Sequence, residues 1–248
     1  MVIRASESEP EIVAVPAFAD NYIWLIRDPA SGHVAVIDPG DGSAALSCAS
    51  ERGWSIDQVL VTHWHPDHTG GVLDVKAATG AEVWGPEAER AKFAGLDHGL
   101  AEGSRVAIGP WTAEVWHVPG HTLGHIAFII PEIAVAFVGD TLFAMGCGRL
   151  FEGTPEQMHG SLKRLGELPP ETRFYPAHEY TLSNARFAAA ISPDDCDVTA
   201  RLAEVEGLRA RGAMTLPTTI AAERATNLFL RAGSVDEFAR LRAAKDAF

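Results

Sequence analysis

VTHWHPDHTG, residues 61–70, is the densest run of proton- and metal-binding side chains in the sequence. It packs His63, His65, Asp67 and His68 into six positions, directly after the strand-like run DQVLVTH (57–63). Residues i and i+2 of an extended segment point the same way, so His63 and His65 reach one common point if the strand continues through them. Pro66 is expected to end regular structure. Asp67 and His68 are adjacent and point in different directions, which suits a second point close to the first. Gly70 and Gly71 let the backbone turn tightly before a helix over 71–79. Burying four such groups without a cation would cost on the order of several kcal/mol, so a purely structural role is a poor explanation. The pattern points to two metal ions side by side.

Two ions need more ligands than this stretch supplies. Ligands converge from loops at strand ends, and three later segments end in the right residue types. WHVPGHTLGH (116–125) offers His121, AFVGDT (136–141) offers Asp140, and FYPAHEY (174–180) offers His178. The expected set is His63, His65 and His121 on one metal, Asp67, His68 and His178 on the other, with the Asp140 carboxylate shared. Nitrogen and carboxylate ligands without thiolate suit zinc first, with iron and manganese as alternatives. His125 reads as a partner that orients a ligand. Asp38, in IDPGD, reads as a turn-forming carboxylate. His33, His98, His117 and His159 are isolated and read as ordinary histidines.

Around this cluster the chain has the composition of a globular enzyme. Its 248 residues are 47% hydrophobic and 21% charged, enough to bury a core without disulfides. The net charge of −13 argues against a nucleic-acid surface. The charge is uneven: −12 over residues 1–176 and −1 over 177–248, so an anionic ligand finds its cations more easily in the C-terminal part. Cys48, Cys147 and Cys196 are odd in number and widely spaced, which does not look like a disulfide framework. With no signal-like or membrane-spanning apolar run, a cytoplasmic protein is expected. No long apolar stripe announces a partner, so a monomer is expected.

Short apolar runs separated by turn residues, IVAVPAF (12–18), NYIWLIR (21–27) and HVAVID (33–38), read as strands of a meander after a poorly ordered leader over the first ten residues. A helix is expected over 41–53, capped by Asp41 or Ser43. Further strands are expected at 82–84, 112–118, 126–130, 134–139 and 173–177. TPEQMHGSLKRLGEL (154–168) reads as a helix with Thr154 and Gln157 forming a capping box and Pro155 at its first position. After His178 the texture turns helical, without a convincing strand, and Ser234 with Glu237 makes a second capping box. The boundary falls near residue 178: an α+β domain over 1–178, then a small helical domain over 179–248.

THWHPDH resembles the THxHxDH signature of the metallo-β-lactamase superfamily, and GHTLGH, GDTLF and PAHEY match its later ligand segments in order. That resemblance implies an αββα sandwich with a binuclear site at one edge. GCGRLFEGT (146–154), HEYTLSN (178–184), TLPTTIAAE (215–223) and LRAAKDAF (241–248) further resemble the hydroxyacylglutathione hydrolase, or glyoxalase II, family. The resemblance implies hydrolysis of S-D-lactoylglutathione to D-lactate and glutathione by a metal-bound hydroxide, the second step of methylglyoxal detoxification. Asp67 is then placed to accept a proton. Arg149, Phe151 and Tyr180 are expected to line the glutathione site, with Arg242 and Lys245 holding the glycine carboxylate. Some family members carry Lys and Tyr where Arg149 and Phe151 stand. Arg keeps the charge, while Phe forgoes a hydrogen bond worth about 0.5–1.5 kcal/mol. Cys147 reads as a packing residue, since the metals make a protein nucleophile unnecessary. The rivals on this scaffold are persulfide dioxygenases, which generally lack a helical C-terminal domain, and lactonases, β-lactamases or nucleases, which do not explain LRAAKDAF. A non-catalytic metal sensor would tolerate gaps in the ligand set, and the set has none.

Overall fold

The computed structural model describes residues 9–248, so all but the end of the expected leader lies outside the described residues. The described residues form two compact units: 9–117 with Ile126–Phe137, and Val118–His125 with Val138–Phe248.

The first unit begins with β1 (Glu11–Ala17) and β2 (Asn21–Arg27), an antiparallel pair. β3 (Val34–Ile37) joins β2 antiparallel; β4 (Gln58–Leu60), β5 (Glu82–Pro86) and β6 (His98–Leu100) then add in parallel, completing a six-stranded sheet. VAVI of β3 and QVL of β4 are buried throughout, the continuous runs expected of parallel strands covered on both faces. α1 (Gly42–Glu51) connects β3 to β4, and the Asp41 carboxylate caps it by accepting from the Ala44 N–H at 3.0 Å. α2 (Pro66–Thr69) and α3 (Val72–Thr79) connect β4 to β5. Valines and isoleucines of these strands pack with Ala45 and Ala49 of α1 and with Val72 and Val75 of α3 into one core. β7 (Arg105–Ile108), β8 (Trp111–His117), β9 (Ile126–Ile130) and β10 (Val135–Gly139) pair antiparallel in chain order.

The structure departs from two local expectations. β4 stops at Leu60 rather than running into the histidines. The Thr62 N–H is taken by the Asp38 carboxylate at 2.7 Å, so the ladder cannot continue. Pro66 starts structure instead of ending it: it occupies the first position of α2, where its missing N–H costs nothing. The glycines nearby serve a close approach of two loops. A Cβ on Gly40 would lie 1.8 Å from the Asp67 carbonyl oxygen, and one on Gly71 would lie 2.0 Å from the Gly42 nitrogen.

The second unit takes the end of β10, then a small hairpin of β11 (Leu142–Phe143) and β12 (Gly146–Cys147). α4 (Pro155–Gly166) has the expected capping box. β13 (Arg173–Pro176) leads to α5 (Thr181–Ile191) and α6 (Cys196–Ala210). A two-residue strand, β14 (Thr218–Thr219), pairs antiparallel with β13, although no strand was expected after residue 178; two β-branched threonines suit that short pairing. α7 (Ile220–Thr226), α8 (Leu228–Arg231) and α9 (Val235–Asp246) follow. At α9 only half of the second capping box forms. Ser234 Oγ accepts from the Glu237 N–H, but the Glu237 carboxylate reaches one residue further back, to the Gly233 N–H at 2.8 Å. Among the described residues, no helix is long and apolar enough to cross a membrane.

Candidate metal centre

In the first unit the carboxyl ends of the parallel strands β3 and β4 deliver Asp38 and the His63 loop, the usual place for a ligand site in such sheets. His63 and His68 are fully buried, His65 is half-buried, and the Asp67 side chain is 41% exposed. The cluster is thus closed behind and open on the His65 and Asp67 side. His63 Nε2 lies 3.1 Å from His65 Nδ1, and His68 Nε2 lies 3.3 Å from Asp67 Oδ2.

Asp38 explains which ring nitrogens face inward. Its carboxylate accepts from the Thr62 N–H and hydroxyl, both at 2.7 Å, and from His68 Nδ1 at 3.1 Å. With its hydroxyl hydrogen pointed at Asp38, Thr62 Oγ1 accepts from His63 Nδ1 at 3.1 Å. Both imidazoles therefore carry their protons on Nδ1 and turn Nε2 lone pairs the other way, as metal-ligating histidines require. The ligand atoms of Asp38, His63 and His68 lie within 4.8 Å of one another. Asp38's oxygens are committed to donors, so it orients ligands. It is not the simple turn residue the sequence suggests. Asn21 is a second residue missed from sequence: its side-chain N–H donates to Asp67 Oδ2 at 3.0 Å.

The second unit repeats this logic. His121, Asp140 and His178 are nearly buried. The Ala177 N–H donates to the Gly139 carbonyl at 3.2 Å, which sets the end of β10 beside the end of β13 and so brings Asp140 to His178. Asp140 Oδ2 lies 3.3 Å from His121 Nε2 and 3.4 Å from His178 Nε2. His121 Nδ1 donates to the Arg149 carbonyl at 2.9 Å, again leaving Nε2 as the inward lone pair. His125 Nε2 accepts from the Asp140 N–H at 3.1 Å, the orienting part that the sequence suggests for it.

The residues fit a divalent cation. Tetrahedral coordination with metal–nitrogen bonds near 2.05 Å separates ligand atoms by about 3.3 Å. The separations within each unit, 3.1 Å for His63–His65 and 3.3 and 3.4 Å around Asp140, bracket that value.

The expected substrate residues all fall in the second unit. Phe151 stands edge-on to His121 with ring centroids 5.2 Å apart, and Tyr180 stacks flat on His178 at 4.6 Å. Phe143, unanticipated, is edge-on to both His178 and Tyr180. Arg149 is 67% exposed and lies 3.6 Å from the Asp246 carboxylate. Lys245 donates to the Ser183 carbonyl and hydroxyl; burial, then the charges of Arg242 and Arg149, hold its pKa below the ordinary lysine value. Arg242 is buried. It donates to the Cys147 carbonyl at 2.9 Å and to Asp246 at 2.8 Å, and stacks over Phe229. The fold therefore uses Arg242 to hold the β12 end against α9. Burial pushes the Cys147 thiol up to about 11, consistent with a packing residue.

Family comparisons agree with this geometry. The model of the metallo-beta-lactamase superfamily matches residues 18–178, and that of the hydroxyacylglutathione hydrolase C-terminus matches 179–248. The chain is 48% identical to a hydroxyacylglutathione hydrolase of Pseudomonas fluorescens, covering 96% of this chain and 99% of that one. It is 45% identical to another from Jannaschia sp., covering 97% and 100%. Among solved structures, ETHE1 from Myxococcus xanthus superposes with a TM-score of 0.70 at 24% identity, over 95% of this chain and 90% of that one. TTHA1623 in a di-iron-bound form reaches 0.57 at 32% identity, over 68% and 91%.

Proposed function

This chain belongs to the hydroxyacylglutathione hydrolase family of the metallo-β-lactamase superfamily, and we propose that it hydrolyses S-D-lactoylglutathione to D-lactate and glutathione. The observation that carries this reading is full-length similarity that includes residues 179–248, the part a minimal metallo-β-lactamase domain does not contain. The reading assigns residues 1–178 to catalysis and 179–248 to substrate binding.

The proposed site holds two divalent cations, with His63, His65 and His121 on one, Asp67, His68 and His178 on the other, and Asp140 shared. Zinc suits these ligands, and iron is supported by the di-iron form of TTHA1623. When bound, such cations supply Lewis acidity that polarises the thioester carbonyl and acidifies water. The chain's own residues do the rest. Asp38 and the Arg149 carbonyl fix the histidine tautomers. Asp67, the most exposed carboxylate of the set, takes up the proton of the attacking water, with Asn21 holding its orientation. Arg149, Phe151 and Tyr180 line the glutathione site beside His121 and His178, and Arg242 with Lys245 holds the glycine carboxylate. Three cysteines without a disulfide support a cytoplasmic location, and a monomer is the proposed state.

Two assays on purified protein test the reading: thiol release from S-D-lactoylglutathione, and oxygen uptake with glutathione persulfide. Fast thiol release with no oxygen uptake is expected. Oxygen uptake without thiol release would replace the thioesterase with a dioxygenase on the same fold.

A further inference from the structure

Glu223 is fully buried in α7, far along the chain from every ligand, and the proposed reaction has no use for it. Each of its contacts is a donor. It accepts from the Met145 N–H at 2.6 Å, Thr218 Oγ1 at 2.9 Å and Asn227 Nδ2 at 3.0 Å, with the Arg201 guanidinium 3.7 Å away. Burial raises its pKa, while the Arg201 guanidinium and these hydrogen bonds oppose that shift. Asn227, the next residue in this network, is also fully buried and uses both ends of its amide. Its nitrogen donates to the Phe143 and Gly146 carbonyls at 3.1 and 3.0 Å, while its oxygen caps α8 through the Phe229 and Leu230 N–H groups.

Every loop atom held this way belongs to the β11–β12 hairpin. Met145 sits at its tip with φ of 56°, a left-handed conformation that a non-glycine residue adopts at a cost and that outside contacts must maintain. The hairpin leaves Asp140 at one end and enters Arg149 at the other. In between, Phe143 packs against His178 and Tyr180, and Gly148 passes so close to the Asp140 carbonyl that a Cβ would lie 1.9 Å from it. The far end then offers the Arg149 carbonyl to His121 and sets Phe151 against the same ring.

We propose that Glu223 and Asn227 are positioning residues for this reaction: they hold the strained hairpin so that Arg149, Phe151 and Phe143 present one fixed glutathione-binding surface. The inference rests on the thioesterase reading. It goes beyond that reading by giving the helical segment a role through the hairpin's backbone, besides any direct contact with substrate. Released from Glu223, the Met145 tip relaxes toward an ordinary conformation and the binding surface becomes an ensemble. Substrate affinity then suffers while the ligand set itself is retained.

The test compares Glu223→Ala, which removes the acceptor of the Met145 N–H, with Thr218→Val and a control, Val205→Ala, a buried α6 residue outside the network. Steady-state hydrolysis of S-D-lactoylglutathione is measured at a temperature where each variant is folded by circular dichroism, with bound metal quantified. Glu223→Ala is expected to raise KM about tenfold with kcat within about twofold of the parent and metal content unchanged. Thr218→Val, which removes one donor and keeps the shape, is expected to raise KM about threefold and serves alone if Glu223→Ala does not fold. Val205→Ala is expected to lose thermal stability with an unchanged KM. An unchanged KM in the network variants, or a KM rise in Val205→Ala that matches theirs, overturns the proposal. If the parent itself does not hydrolyse the thioester, it is the thioesterase reading that fails.

Discussion

Asp38 leaves β3 at a φ of 51°, an uncommon backbone for a non-glycine residue, and that conformation lets one carboxylate reach Thr62 and His68 together. Asp38 orients ligands without being one, so Asp38→Ala should weaken divalent-cation affinity by about 10–100-fold while leaving every ligand in place. Competition with a fluorescent chelator measures this; unchanged affinity would leave Asp38 a turn residue only. The ligand motif itself was legible, because HxHxDH crowds its chemistry into six positions. Asp38 and Asn21 were not, because each meets its ligand across 30 or 46 residues of chain, and no local pattern marks such a pairing. Cys147 gives a second test at this scale. Its thiol is raised from 9.0 to about 11 by burial, so above pH 9 the unfolded chain loses this proton first. Folding stability therefore falls as pH rises from about 9 to 11, by up to about 3 kcal/mol from this group. Denaturant melts across that window should show a smaller alkaline loss in Cys147→Ala than in the parent.

Helices were easier to read than strands, and their caps explain why. Thr154, Pro155 and Gln157 form a local signal, and the reciprocal box appears as expected at α4. Thr154→Ala should cost about 1 kcal/mol and lower Tm by about 2–4 °C in a thermal melt. A loss within error would mean that packing of α4 against α8 and α9, not its cap, fixes its start. The short strands β6, β7, β11, β12 and β14 went unread, since two to four residues carry too little periodicity to distinguish strand from loop. The β4 end was misjudged for another reason. A side chain, Asp38, competes there for a backbone N–H that the strand would otherwise use, and only tertiary structure reveals that competitor.

Over the whole molecule, a net charge of −13 opposes an anionic substrate, so binding depends on where the cations stand. Arg149 and Lys245 lie in the second unit with the aromatic rings of Phe151 and Tyr180. Attraction that relies on exposed cations is screened over about 10 Å at 0.1 M salt. The kcat/KM for S-D-lactoylglutathione should therefore fall several-fold between about 20 and 500 mM salt, through KM, while a neutral thioester shows little change. Equal salt dependence for both would remove these cations from the binding step. The uneven charge was visible in the sequence. The burial of Arg242 was not, because LRAAKDAF carries the same letters whether its arginine faces solvent or holds the Cys147 carbonyl.

The proposed hydrolysis requires two cations held by seven side chains. Metal-stripped protein is titrated with zinc, with thiol release from S-D-lactoylglutathione followed at each addition. The rate is expected to rise to a plateau at two equivalents per chain. A plateau at one equivalent, or two bound zinc ions with no hydrolysis, would refute the two-cation site.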